Sequence, residues 1–126
     1  IQGRDLNFRV GNVDVIMGDF KMRIRGEVFH FLMDGEMRKR VQTKKLDGTE
    51  VPVLSPEDNI VFKALLQRGK KEGKHDVQDI ADIARNQELD TGYLLRRANL
   101  CNGRARVSTL LQKLGLRPKS PSHRQL

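Results

Sequence analysis

Cysteine is all but missing from this chain of 126 residues, in which Cys101 stands alone. A single thiol closes no disulfide within one chain, and Cys101 is not set in a Cys-x-x-Cys or Cys/His array, so neither a disulfide framework nor a zinc site is available. A reducing, cytoplasmic home is the expectation. Also missing are any apolar run approaching the roughly 20 residues that span a bilayer and any charged-then-apolar leader, so a soluble chain with no membrane partner is expected. The three histidines, His30, His75 and His123, are too scattered to make a triad or a metal set. The most informative shortage is of acid. Residues 1–90 hold 16 Lys and Arg against 16 Asp and Glu, whereas residues 91–126 hold eight basic residues and no acid, so the net charge of +8 belongs to the C-terminal end. Such a segment, led by Arg96, Arg97, Arg104 and Arg106, attracts phosphate; a solvated basic face with a loose tail is the competing reading.

What is present falls into strands first and helices later, which predicts an α+β fold in one domain. Alternating runs at residues 6–10 and 13–17, separated by Gly11-Asn12, read as a hairpin, and residues 27–33 as a further strand approached by a stretch from Lys21. Residues 34–40 hold too few apolar positions to predict a firm helix. Asp47-Gly48 pairs residues 41–46 with 50–54 and completes one sheet of four or five strands. Ser55 then caps a helix, with Pro56 at its first position and Asp58 as the acidic partner of a capping box. That helix is apolar on most sides, leaving a polar stripe of Asn59, Lys63 and Gln67. A glycine-bracketed basic loop spans residues 69–74. Further helices are expected after Asp76, with Asp79 as its reciprocal cap, after Asp90, and after Gly103, the last closed by Gly115, giving about four in all. The sheet portion is 1–54, the helical portion 55–116, and 117–126 a disordered basic tail.

Asp14 lies mid-strand between two valines, where rigid sheet can present a carboxylate to a metal or to a hydroxyl nucleophile. Lys63 is a cation held in an apolar frame, fit to snorkel to water or to bind a triphosphate. Arg68 falls in the apolar sector of its helix, an odd place unless the helix has ended or the guanidinium is wanted there. Capping alone accounts for Asp76 and Asp79. The 69–74 loop lacks the strand-loop-helix pattern of a P-loop.

The run Gly48-x-Glu50-Val51-Pro52-Val53-Leu54-Ser55-Pro56-Glu57-Asp58, followed by Lys63, Arg68, Lys74-His75-Asp76 and Asp79-Ile80, resembles the second half of the minimal nucleotidyltransferases related to the abortive-infection toxin type, within the polymerase β superfamily. The resemblance covers roughly residues 5–97 and leaves the basic tail outside. It implies a mixed sheet followed by a helical half, and transfer of a nucleoside monophosphate from a nucleoside triphosphate (NTP) to a hydroxyl of RNA, protein or a small alcohol, assisted by magnesium ions (Mg2+) between three carboxylates. Asp14 matches the third carboxylate, catalytic and metal-binding. Lys63 matches the helix lysine that faces the nucleotide, and Arg68, Lys74 and Asp76 match the remaining nucleotide-binding positions. The family's first signature, a Gly-Ser pair followed by a strand with two acids, is not in this sequence and is expected to precede Ile1. Two other readings stand beside this one: a non-catalytic nucleic-acid-binding module using residues 91–126, and a half-site completed by a partner chain or a second copy.

Overall fold

A computed structural model of the chain describes residues 7–10, 13–16 and 18–116. The Gly11-Asn12 turn and the 117–126 tail anticipated above lie outside the described residues. The chain is α+β, as its pattern predicts. Strand β1 (Asn7–Val10) pairs antiparallel with β2 (Val13–Ile16), β3 (Phe20–Ile24) with β4 (Glu27–Phe31), and β5 (Gln42–Leu46) with β6 (Thr49–Val53). The expected single mixed sheet is corrected here: among the described residues the strands form three separate two-stranded hairpins, all antiparallel. The turns set which strands pair. Arg25-Gly26 and Asp47-Gly48 both place two successive residues at positive φ, the tight reversal that closes a right-twisted hairpin on itself. Each strand is thereby paired to its immediate neighbour in sequence.

Of the three hairpins, the second carries the most apolar weight. Phe20 faces Phe31 and Met22 faces Phe29 across β3 and β4, and all four side chains are buried. Hairpin β5–β6 is mostly exposed along both strands. Between β4 and β5 a six-residue helix, α1 (Gly35–Arg40), is capped by Asp34, whose carboxylate accepts the Met37 N–H at 2.9 Å. A single buried residue, Met37, anchors it, which is why its apolar pattern was too thin to announce a helix.

Helix α2 (Pro56–Leu66) is the axis of the molecule. Ile60, Val61, Phe62, Ala64 and Leu65 are all buried, and α3 (Asp76–Asn86), α4 (Thr91–Leu100) and α5 (Arg104–Lys113) pack against it. Ser55 caps it as expected, its hydroxyl accepting the Asp58 N–H at 3.2 Å. Phe62 joins Phe20 and Phe31 in a cluster of tilted and edge-on rings. The α4–α5 turn docks on the β3–β4 hairpin through His30 N–H to the Cys101 carbonyl at 3.0 Å and Asn102 Nδ2 to the Val28 carbonyl at 3.1 Å. Gly103 stands where α5 comes closest to α2; a side chain there would run into Leu65. Helix α5 closes on Gly115 at positive φ, with Leu116 N–H to the Leu111 carbonyl and Gly115 N–H to the Gln112 carbonyl. Five α-helices are thus described where about four were expected, the addition being α1.

Candidate functional site

The two ends of α2 each meet a cluster of charges, and the one at the C-terminal end reaches a cavity wall through Asp14 and Lys63. At the N-terminal end Asp58 is fully buried. Its carboxylate accepts from Arg97 Nε at 2.9 Å, from the Tyr93 hydroxyl at 2.6 Å and from the Ser55 hydroxyl at 3.0 Å. Arg97, itself 2% exposed, also donates to Asp34 and to the Leu32 carbonyl. Burial, and then the bond to Asp58, push the Tyr93 hydroxyl well above its ordinary pKa. Asp90 caps α4 on the Tyr93 N–H and receives Arg40, while its own N–H is taken by Glu57. The Asp58 cluster welds α2 to α4, and its polar atoms are satisfied by one another.

At the C-terminal end α2 stops at Leu66, because Gln67 turns to positive φ and its N–H returns to the Lys63 carbonyl. Arg68 therefore lies beyond the helix, which removes the oddity of its position in the sequence. Its guanidinium is held on two sides. Asp76 takes Nε at 2.8 Å and Nη2 at 3.2 Å, and also the Arg68 backbone N–H at 2.8 Å. Asp14 takes Nη1 at 3.1 Å on one oxygen and Nη2 at 2.7 Å on the other. Lys74 Nζ stands 3.3 Å from the same Asp14 oxygen. Lys63 Nζ is 2.9 Å from Asp79 and 3.6 Å from Asp76.

The expectation that Asp76 and Asp79 are caps is overturned. The position before α3 is His75, which makes no side-chain cap bond, and both carboxylates turn instead toward the cations of α2 and Arg68. Capping spacing and ion-pair spacing are indistinguishable in sequence, since both ask for an acid in the first turn.

Burial on its own raises the Asp14 carboxyl, but the hydrogen bond and charge of Arg68, followed by the charge of Lys74, outweigh it and hold the group below its ordinary value. Burial likewise disfavours the Arg68 cation, and the bonds to Asp14 and Asp76 reverse that, leaving it more firmly charged than a free arginine.

Asp14 and Lys63 stand on the wall of a cavity of about 530 Å³ bounded by β2, hairpin β5–β6 and α2. Asn59, one turn before Lys63, adds an amide, while Ile16, Leu46, Val51 and Phe62 contribute apolar walls. The structure thus brings together Asp14, Lys63, Arg68, Lys74 and Asp76, and adds Asp79, which sequence reasoning had assigned elsewhere.

It does not bring together the four arginines singled out near the C-terminal end. Arg97 is in the interior, its guanidinium engaged by Asp58, Asp34 and a carbonyl, and has no face to offer a polyanion. Arg96 is exposed and paired with Glu36 at 2.9 Å. Arg104 is exposed on α5, and Arg106 reaches across to the Leu65 carbonyl at 2.7 Å.

Nor do the described residues make a magnesium site. Among them no group of three or more His, Cys, Asp or Glu side chains is placed to hold a metal, and both oxygens of Asp14 already accept from Arg68. Two fixed cations beside a carboxylate repel a third. Among the described residues no helix is long and apolar enough to cross a membrane. No protein-family model, curated protein or solved structure gives a significant match to this chain.

Proposed function

We propose that this chain handles the nucleotide in a nucleotidyltransferase-type reaction, a nucleoside triphosphate lying in the cavity beside Asp14 with its phosphates toward Lys63 and its base and sugar against the apolar walls. One observation supports this reading above the others. The five residues to which the sequence resemblance gives roles, drawn from three elements and the loop between α2 and α3, are joined in one chain of ion pairs, and two of them, Asp14 and Lys63, line a cavity of about 530 Å³. That volume falls in the range of roughly 300–1,000 Å³ typical of small-molecule sites. Phosphoryl transfer asks a protein mainly for positioning and for charge stabilisation. Lys63 offers the second, and the Asn59 amide with the Phe62 ring offers the first. Magnesium enters this reading only as the counter-ion of the triphosphate, and the acceptor is a hydroxyl of RNA or protein.

Calorimetric titration of the protein with each of the four magnesium nucleoside triphosphates tests the reading. Binding is expected, with Lys63→Ala weakening it about tenfold or more, whereas Arg96→Ala, on the outer surface, leaves it unchanged. If no triphosphate is either bound at millimolar concentration or consumed, the reading is wrong.

A second reading, nucleic-acid binding without catalysis, has its own support. A polar hollow of about 400 Å³ between the β3–β4 turn and α5 carries Arg25, Arg106 and Lys113 against one acid, Glu27. Burial and the nearby Arg25 both disfavour the Arg106 cation, so an anion there would relieve it. Replacing Arg25, Arg106 and Lys113 together by Gln is expected to abolish salt-sensitive binding of single-stranded RNA, and unchanged binding would exclude the hollow.

A further inference from the structure

The sequence resemblance makes Asp14 a ligand for metal, and its surroundings suit a different role. Its two oxygens receive the two terminal nitrogens of Arg68 at 3.1 and 2.7 Å, and the Lys74 ammonium closes on one of them at 3.3 Å. A planar fork on two oxygens with an ammonium beside it is also how proteins hold a phosphate.

The cradle is built without Asp14. Arg68 is fixed from behind by Asp76, which is fully buried and takes Nε, Nη2 and the backbone N–H. Asp14 comes instead from hairpin β1–β2, 54 residues away, which among the described residues pairs with no other strand. Its carboxylate lies on the cavity wall, 15% exposed, beside the space a ligand would fill.

Charge points the same way. Both Arg68 and Lys74 face the Asp14 carboxylate, so taking it away removes an anion that two cations share beside the cavity wall.

We infer that Arg68 and Lys74 form an anion cradle for a polyphosphate, and that the Asp14 carboxylate is its resident occupant, which an incoming polyphosphate displaces. The inference rests on the nucleotide reading only for the natural ligand; the cradle and its occupant stand on geometry. It reverses the sign expected of a metal ligand. Removing a metal-binding carboxylate weakens nucleotide binding, whereas removing a competitor strengthens it.

The test titrates the full chain and Asp14→Asn with sodium tripolyphosphate and with ATP, in EDTA so that no metal takes part. Asp14→Asn is expected to bind tripolyphosphate about tenfold or more tightly than the unaltered protein. Binding that is equal or weaker overturns the inference. In the double variant Asp14→Asn/Arg68→Lys, which keeps the charge and loses the fork, the gain should vanish; a gain that persists places the anion elsewhere and also overturns it. Where Asp14→Asn is too unstable for titration, melting supplies the readout. Tripolyphosphate should raise the melting temperature of Asp14→Asn more than that of the unaltered protein, and an equal or smaller rise counts against the cradle.

The ATP arm separates the two claims. Tighter tripolyphosphate binding by Asp14→Asn upholds the cradle even where neither protein binds ATP, and the nucleotide reading then falls only if none of the four magnesium nucleoside triphosphates is bound or consumed. ATP binding by both proteins with no gain in Asp14→Asn overturns the cradle and keeps the nucleotide reading.

Discussion

The two ends of α2 use the same pair of residue types, an aspartate and an arginine brought together from distant parts of the chain, with opposite results. At the N-terminal end Asp58 and Arg97 are 0% and 2% exposed, and a tyrosine, a serine and a carbonyl complete their bonding. At the C-terminal end Asp14 and Arg68 are each 15% exposed, and Asp14 lines a cavity. A sealed pair can only hold the fold together. An open pair can also exchange partners, because a solute able to replace one member has a path to the other. Burial of the pair, rather than its length or charge, separates architecture from a candidate site.

The comparison breaks most decisively at Asp58. Asp58→Ala leaves the buried Arg97 with only the partly exposed Asp34 as counter-charge, and a loss of about 3–5 kcal/mol of stability is expected by urea unfolding. The open end should be more forgiving, since Arg68 is partly exposed to water and Asp76 still holds it. If Asp14→Asn costs as much as Asp58→Ala, the distinction between the two ends collapses. Next in size is Tyr93→Phe, which removes one hydrogen bond to the Asp58 carboxylate and should cost about 1.5–3 kcal/mol, seen as a lowered melting temperature.

Acid sharpens the contrast in a graded way. Because the folded Asp14 carboxyl is held below its ordinary value of 3.8, its contribution to stability is fully present above the unfolded pKa and is lost as the pH falls through the folded one. The stability difference between the unaltered protein and Asp14→Asn, followed by urea unfolding from pH 7 downward, is therefore expected to be constant to about pH 5 and to shrink below about pH 4. A difference that does not change with pH would mean that the Asp14–Arg68 pair is not formed in solution. The smallest effects belong to the surface. Arg96→Ala, which breaks a pair that is 60% and 46% exposed, should shift stability by no more than about 0.5 kcal/mol.

Features written in neighbouring residues could be read without the structure. Ser55 and Pro56 announce the start of α2, Asp47-Gly48 the third hairpin, Asp90 the cap of α4, and Gly115 the end of α5. Convergence in the ion-pair cluster was partly legible too, since Asp14, Lys63, Arg68, Lys74 and Asp76 were all singled out. The choice among competing partners was not. Asp58 served equally well as a capping residue until Arg97, 39 residues later, was seen against it. Arg97 itself counted as part of a basic face, because its spacing along α4 does not say that Asp58 and Asp34 wait on the other side. The division into three hairpins was hidden for the converse reason. Local turn chemistry fixes which strands pair first, and it carries no information on whether the pairs then join.

That division also bears on how the chain reaches its fold. Among the described residues no strand pairing joins positions more than 11 apart, the widest being Phe20 with Phe31 and Gln42 with Val53. Links across the chain include the arginine clamps, from Arg97 to Asp58 across 39 residues and from Arg68 to Asp14 across 54, and the docking of Asn102 on Val28 across 74. Hairpins of this kind close in about 1–10 μs, well before distant segments meet. Tying β1–β2 to α2 through Arg68 is then a late event. In stopped-flow experiments Asp14→Asn should leave the refolding rate almost unchanged and speed unfolding, the kinetic mark of a contact made after the barrier has been crossed.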